Sequence, residues 1–303
     1  MYAFVTGANG LLGSVVVRTL REQGHEVVGG YHSERPVFDC PLHQVDITDT
    51  ERVVALLDRY DDVDVVINCA AYTDVDGCES NPELATAVNG TAPGDLAAVC
   101  DDREIPFVHY STDYVFDGET DGFYEEDAET APIQEYGRSK LAGEHAVRDV
   151  NTDALVLRLS FVYGARGDTG NLVGFPQWVA STLAAGDTVP LFTDQTMTPS
   201  RAGNVAATTL ELLDAGVSGT YHVASQSAVT PYEFGEEICE VIGGDATLIE
   251  SSVMSDLERP AARPQRSCLD VAKLERELGR PQPTLDADLA ALEAAFSDYN
   301  YSS

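Results

Sequence analysis

One turn constrains this chain more than any other feature. Thr6-Gly7-Ala8-Asn9-Gly10-Leu11-Leu12-Gly13 follows a short apolar strand, Tyr2–Thr6, and opens a helix over 11–23 with apolar residues at helical spacing. Glycines in such a turn let the backbone approach a pyrophosphate and let the helix pack closely on a sheet. The free N–H groups and positive dipole end of the helix then face the phosphates. Gly7, Asn9, Gly10, Leu11, Leu12 and Gly13 are therefore candidates for holding a dinucleotide. The chain continues as this start demands. Strands over 25–30, 43–45, 63–68, 106–111 and 154–161 alternate with helices over 51–60, 81–100 and 136–149. Repeated β-α-β with short connections predicts an α/β fold with a doubly wound parallel sheet.

The second half is less regular, with Gly and Pro punctuating 164–174, 186–190 and 259–264. We expect a dinucleotide-binding Rossmann-type domain over 1–163. A smaller C-terminal substrate lobe over 164–303 is interleaved with it, because a segment at roughly 187–223 returns to the first domain. Helices are expected near 175–185, 203–215, 231–242, 270–278 and 285–297.

Charge narrows the partners. With 18 Lys+Arg against 51 Asp+Glu the formal charge is −33, which argues against nucleic-acid or anionic-membrane binding as the main activity, since both need basic surface. The acidity is diffuse, and lysine has almost vanished, leaving Lys140 and Lys273 against sixteen arginines. Such a surface suits molar salt, where the Debye length falls to about 3 Å and self-repulsion is screened, so a halophilic protein is expected. No run of apolar residues is long enough to span a membrane. Met1–Thr6 enters a strand with no basic segment before it, and we expect a cytoplasmic protein. The six cysteines (40, 69, 78, 100, 239, 268) have no metal-ligand spacing and read as buried free thiols. No metal is expected.

The chemistry centres on Tyr136-Gly-Arg-Ser-Lys140. Four residues apart on a helix, Tyr136 and Lys140 share a face, and a cationic amine near a phenol favours phenolate and suits it to proton transfer. With thirteen Tyr and two Lys, chance predicts only about 0.1 such spacings in the chain. Upstream, a strand ends in Ser111-Thr112-Asp113-Tyr114-Val115-Phe116-Asp117-Gly118. A hydroxyl there faces the ligand crevice, which makes Thr112 a candidate to bond a reacting oxygen. At the end of the second strand, Gly29-Gly30-Tyr31-His32-Ser33-Glu34-Arg35 has Tyr31 where a carboxylate would hold a ribose 2′-OH. Ser33 and Arg35 could receive a 2′-phosphate, which favours NADP(H) over NAD(H), although Glu34 works against it.

The G-x-x-G-x-x-G spacing resembles the extended branch of the short-chain dehydrogenase/reductase superfamily. Within that resemblance, Asp46 and Ile47 match the pair that contacts the adenine, and Ala70 and Ala71 lie in a turn (Asn68–Ala71) beside the ribose and nicotinamide. The octapeptide 111–118 is similar to that of the dTDP-4-dehydrorhamnose reductase family. So are Tyr136-Gly-Arg-Ser-Lys-Leu-Ala-Gly-Glu144, Leu157-Arg-Leu-Ser-Phe-Val-Tyr-Gly164 and Arg263-Pro-Gln-Arg-Ser-Cys-Leu-Asp-Val-Ala-Lys-Leu274. The resemblance implies a triad of Thr112, Tyr136 and Lys140, with hydride passing to C4 of a nucleotide-linked keto-sugar and a proton supplied by Tyr136. It also implies sugar contacts from Asp113 and Tyr114, a diphosphate contact from Arg263, and a looser match for Asn171 at the phosphates. A homodimer would be compatible with it. Two rival readings stay open. One is a nucleotide-sugar epimerase or dehydratase, although a dehydratase needs a carboxylate where Tyr114 stands. The other is a non-catalytic, NADP-binding regulatory subunit of the methionine adenosyltransferase type.

Overall fold

The computed structural model describes residues 1–299. β1 (Tyr2–Thr6) is apolar throughout because it lies in the middle of a parallel sheet. It pairs with β2 (Glu26–Tyr31) on one side and β4 (Val65–Asn68) on the other. With β3 (Leu42–Gln44), β5 (Phe107–Thr112), β6 (Leu155–Leu159) and β7 (Gly219–Val223), the order across the sheet is β3-β2-β1-β4-β5-β6-β7, and all pairs are parallel. Strand order reverses between β1 and β4, and the carboxyl ends of those strands open the crevice that such sheets use for ligands.

Helices cover both faces. α1 (Leu11–Glu22) packs with the helix Ala202–Asp214 on one face, where Val15, Val16, Leu20, Val205 and Leu210 meet Val5, Ile67, Val108 and Leu157. α2 (Thr50–Arg59), α3 (Ala92–Asp101) and α4 (Glu135–Val150) cover the other face through Val53, Leu56, Leu96 and Val147 on Phe4, Val66 and Val156. α2 starts on the carboxylate of Asp49, which accepts the N–H of Arg52 at 3.0 Å.

The expected single helix over 81–100 is interrupted. Short helical pieces at Val75–Ser80 and Pro82–Ala85 lead into a π-helical turn, Thr86–Thr91, before α3 resumes. The π turn has a local cause and a use. Pro93 stands two residues beyond it, and Asn89 within it accepts the N–H of Tyr72 at 2.8 Å and donates to the Tyr72 carbonyl at 2.9 Å. That ties the loop after β4 to the helical layer.

A second cluster gathers Tyr163, Leu183, Val189, Phe234, Ile238 and Phe296. It contains the helices Phe175–Ala184 and Pro231–Ile242 and a parallel pair, Val189–Phe192 with Ile249–Ser252. Between those two strands the chain goes back to the main sheet. Ser200–Arg201 pairs with Val162–Ala165, Ala202–Asp214 lies against α1, and β7 follows. The expected helix over 285–297 is two shorter pieces, Leu285–Ala290 and Glu293–Phe296. Among the described residues, no helix is long and apolar enough to cross a membrane.

Candidate active site

A cleft of about 690 Å³ opens at the carboxyl ends of the sheet strands. Its floor is the turn after β1. Gly7 has φ +63°, and a Cβ there would stand 2.7 Å from the Ala70 nitrogen. A Cβ on Gly13 would stand 2.2 Å from the Gly7 carbonyl oxygen. These two positions are glycine for want of space. Gly10 is less confined, its nearest neighbour lying at 3.3 Å, and its N–H closes the turn onto the Gly7 carbonyl at 2.9 Å. Among the described residues no side chain caps α1, and its first turn carries no acidic residue, so its N–H groups and positive end can face an anion where Leu11, Leu12 and Gly13 line the cleft. This is a fit for the pyrophosphate of a nicotinamide dinucleotide. Asn9, Ser33, Ala70 and Ala71 line the same cleft.

Three predicted cofactor residues lie off that lining. Arg35 is exposed. Ile47 is packed in the core under α2. The carboxylate of Asp46 accepts the N–H and hydroxyl of Thr48, at 2.9 and 2.8 Å. His32, which sequence reasoning passed over, does line the cleft and stands 3.8 Å from Asp46.

The predicted acid/base groups converge on the opposite side of β4. Tyr136 and Lys140 lie on one face of α4 and both line the cleft. Thr112, the last residue of β5, is buried at 7% exposure just behind them. Its hydroxyl donates to Asp113 at 3.0 Å and accepts the N–H of Tyr114 at 3.2 Å. Lys140, 3% exposed, points its amine at the Tyr110 carbonyl, 2.6 Å away. Burial pulls that ammonium down to about 8, with Glu144 one turn along opposing. Glu144 is itself gripped by Arg158 through two bonds of 2.9 and 2.8 Å. The Tyr136 phenol moves the other way from the simple Tyr–Lys expectation. Burial, and next the carboxyl of Asp113, push it well above the ordinary range, while the Thr112 hydroxyl acts against them. Asp113 is fully buried and burial raises it to about 6, although Ser160 donates to it at 2.8 Å. The site thus holds a neutral phenol, a buried carboxyl and a cation of tunable charge side by side.

The far wall adds side chains beyond the predicted site residues. Phe161 adopts φ +43°, unusual for a residue with a side chain, and lines the cleft with its ring edge-on to Phe175 at 5.4 Å. Gln195, Met197 and Ser267 line it as well. Tyr114 lies edge-on to Tyr136 at 6.2 Å. Arg263 is off the lining and forks onto Asp76 at 2.9 and 3.2 Å. Asn171 is exposed and also off the lining. Phe161 lies within the 157–164 motif, but only the burial of distant segments against one another gives it and Gln195 their places on the lining.

Comparison with known proteins bears on this geometry. The family model described as RmlD substrate binding domain matches residues 1–297. A Haloferax volcanii protein named "Probable low-salt glycan biosynthesis reductase" is 88% identical over 300 residues, covering 99% of this chain and all of the relative. The dTDP-4-dehydrorhamnose reductase of Mycolicibacterium smegmatis is 37% identical over 270 residues, 88% of this chain and 76% of its own length. The crystal structure of dTDP-4-dehydrorhamnose reductase from Bacillus anthracis in complex with NADP superposes with a TM-score of 0.86 at 25% identity, over 96% of this chain and 98% of that one.

Proposed function

The chain belongs to the RmlD substrate binding domain family and is an NAD(P)-dependent oxidoreductase, and from that premise we propose that it reduces the C4 ketone of a nucleotide-linked 4-keto-6-deoxy sugar. The substrate is dTDP-4-dehydrorhamnose, the product dTDP-L-rhamnose, and the preferred donor NADPH. The observation that carries this reading is that Tyr136 and Lys140, with Thr112 buried behind them, line one cleft together with an uncapped helix N-terminus.

The nicotinamide cofactor supplies the hydride when bound. The chain's residues do the rest. Tyr136 gives its phenolic proton to the C4 oxygen, a role for which a phenol kept neutral by burial is poised. Thr112 steadies the developing alkoxide from the end of β5. Lys140, cationic below about pH 8, holds the cofactor ribose and offsets the charge left on Tyr136 after proton transfer. Asp113 and Tyr114 orient the sugar ring, and Arg263 turns its planar fork from Asp76 to the diphosphate. Ser33, with His32 beside it, forms the rim that receives the 2′-phosphate.

The test is oxidation of NADPH, followed by loss of its near-ultraviolet absorbance, on freshly generated dTDP-4-dehydrorhamnose in molar salt, with NADH in parallel. Turnover that disappears in Tyr136→Phe is the expected result. Cofactor binding by the folded chain with no turnover on any 4-keto sugar would overturn the reading.

A further inference from the structure

The glycine turn does not stand alone. A hairpin of the C-terminal half, Val162–Ala165 with Leu172–Val173, reaches across to it. At the tip, Arg166 forks onto Asp168 through two bonds of 2.9 Å and sends its remaining Nη1 to the Asn9 carbonyl at 2.8 Å. The next residue, Gly167, donates its N–H to the Ser14 hydroxyl at 2.9 Å. It lies so close that a Cβ there would stand 2.0 Å from the Ser14 carbonyl oxygen. Asp168, with its side chain 4% exposed, also faces the N–H of Val37 at 3.4 Å, in the loop that follows Ser33 and Arg35.

These contacts act on one peptide plane. The Asn9 carbonyl is held by Arg166, and the N–H of the same peptide unit, on Gly10, is held by the Gly7 carbonyl at 2.9 Å. A plane pinned at both ends cannot rotate, and its orientation fixes where the N–H groups of the first turn of α1 point. The guanidinium is matched by its own carboxylate, so the pair adds little net charge near the phosphates. Its contribution is geometric.

We propose that Arg166 and Asp168 form a clasp that sets the phosphate-binding turn for the cofactor and ties cofactor binding to the hairpin that leads into the substrate side of the cleft. Both are positioning residues, since neither lines the cleft. The proposal rests on the nicotinamide cofactor of the function proposed above, but not on the identity of the sugar.

The experiment titrates NADPH by its fluorescence into the full chain in molar salt, for wild type, Arg166→Ala, Arg166→Lys and Asp168→Asn, and then measures kcat and both KM values. Loss of one bond to a charged group corresponds to about tenfold in affinity. Arg166→Ala is expected to raise the NADPH Kd by about tenfold, with kcat at saturation within about twofold and the sugar KM less affected. Arg166→Lys keeps the charge but not the fork and should fall between, and Asp168→Asn should move the same way by less. An NADPH Kd unchanged in folded Arg166→Ala overturns the clasp, as does a fall in kcat with Kd unchanged. If the alanine variant does not fold, an unchanged Kd in Arg166→Lys overturns it alone. Wild-type protein that binds NADPH but reduces no keto-sugar would sink the proposed function while leaving the clasp to be decided by Kd.

Discussion

The two walls of the cleft are built from different materials. The sheet-side wall is largely backbone and short-range pattern. Gly7 and Gly13 leave no room for a Cβ, and Tyr136 and Lys140 are one helical turn apart. The far wall is made of side chains brought from a distance. Phe161 is held at an uncommon backbone angle, and Gln195 and Ser267 arrive from segments far along the chain, with the Arg263–Asp76 pair, 187 residues apart, behind them off the lining. The first wall should therefore fail by steric or chemical loss at single atoms. The second should fail gradually, as pairs are weakened.

Tyr136→Phe is the largest break available. It removes a proton donor and nothing else on the sheet-side wall, so kcat is expected to fall by about 10²- to 10⁴-fold with the NADPH Kd within about twofold. Single-turnover reduction alongside cofactor titration checks this.

Asp113→Asn tests the junction of the two walls. Burial raises the folded carboxyl to about 6 from an ordinary 3.8. A raised value means the stability of its protonated form is fully present below about pH 3.8 and lost as pH rises through about 6. Above that window the folded protein carries a buried charge costing at most about 3 kcal/mol. The asparagine variant should thus melt higher than wild type at pH 8, with the advantage gone below pH 4, while its sugar KM rises. A melting difference that ignores pH would refute the assignment.

Gly13→Ala pushes a Cβ against the Gly7 carbonyl and should cost about 1–3 kcal/mol in denaturant unfolding while raising the cofactor Kd. Gly10→Ala, with its nearest contact at 3.3 Å, should cost clearly less. Equal losses would mean the turn is not sterically set. Arg263→Lys is the mildest change, behind the side-chain wall. A point charge replacing a fork should raise the sugar KM by about tenfold, or ~1.4 kcal/mol, and leave NADPH Kd alone. Equal shifts in both ligands would mean that the two walls do not act separately.

Several residues show where local reading stops. Ile47 matches a cofactor-contact pattern, yet its side chain is core under α2. Asn171, matched to the nucleotide phosphates of the substrate, sits exposed and off the cleft lining, while Arg166, five residues earlier, reaches the Asn9 carbonyl of the glycine turn. The helix expected over 81–100 is opened by a π turn whose Asn89 serves a loop seventeen residues away. In each case the side chain's neighbour across space, not along the chain, decided its direction.

The sequence by itself determined the doubly wound sheet, the glycine turn and the Tyr–Lys pair. These rest on strand-to-helix periodicity, on glycine sterics and on the four-residue turn of a helix, all of which act within a few residues. Tertiary structure alone decided that the Lys140 amine sits on the Tyr110 carbonyl at a value near 8, that the Tyr136 phenol is pushed up rather than down, and that Arg166 reaches Asn9. Those properties depend on how deeply a group is buried and on which distant segment is packed against it, and burial is a property of the folded whole.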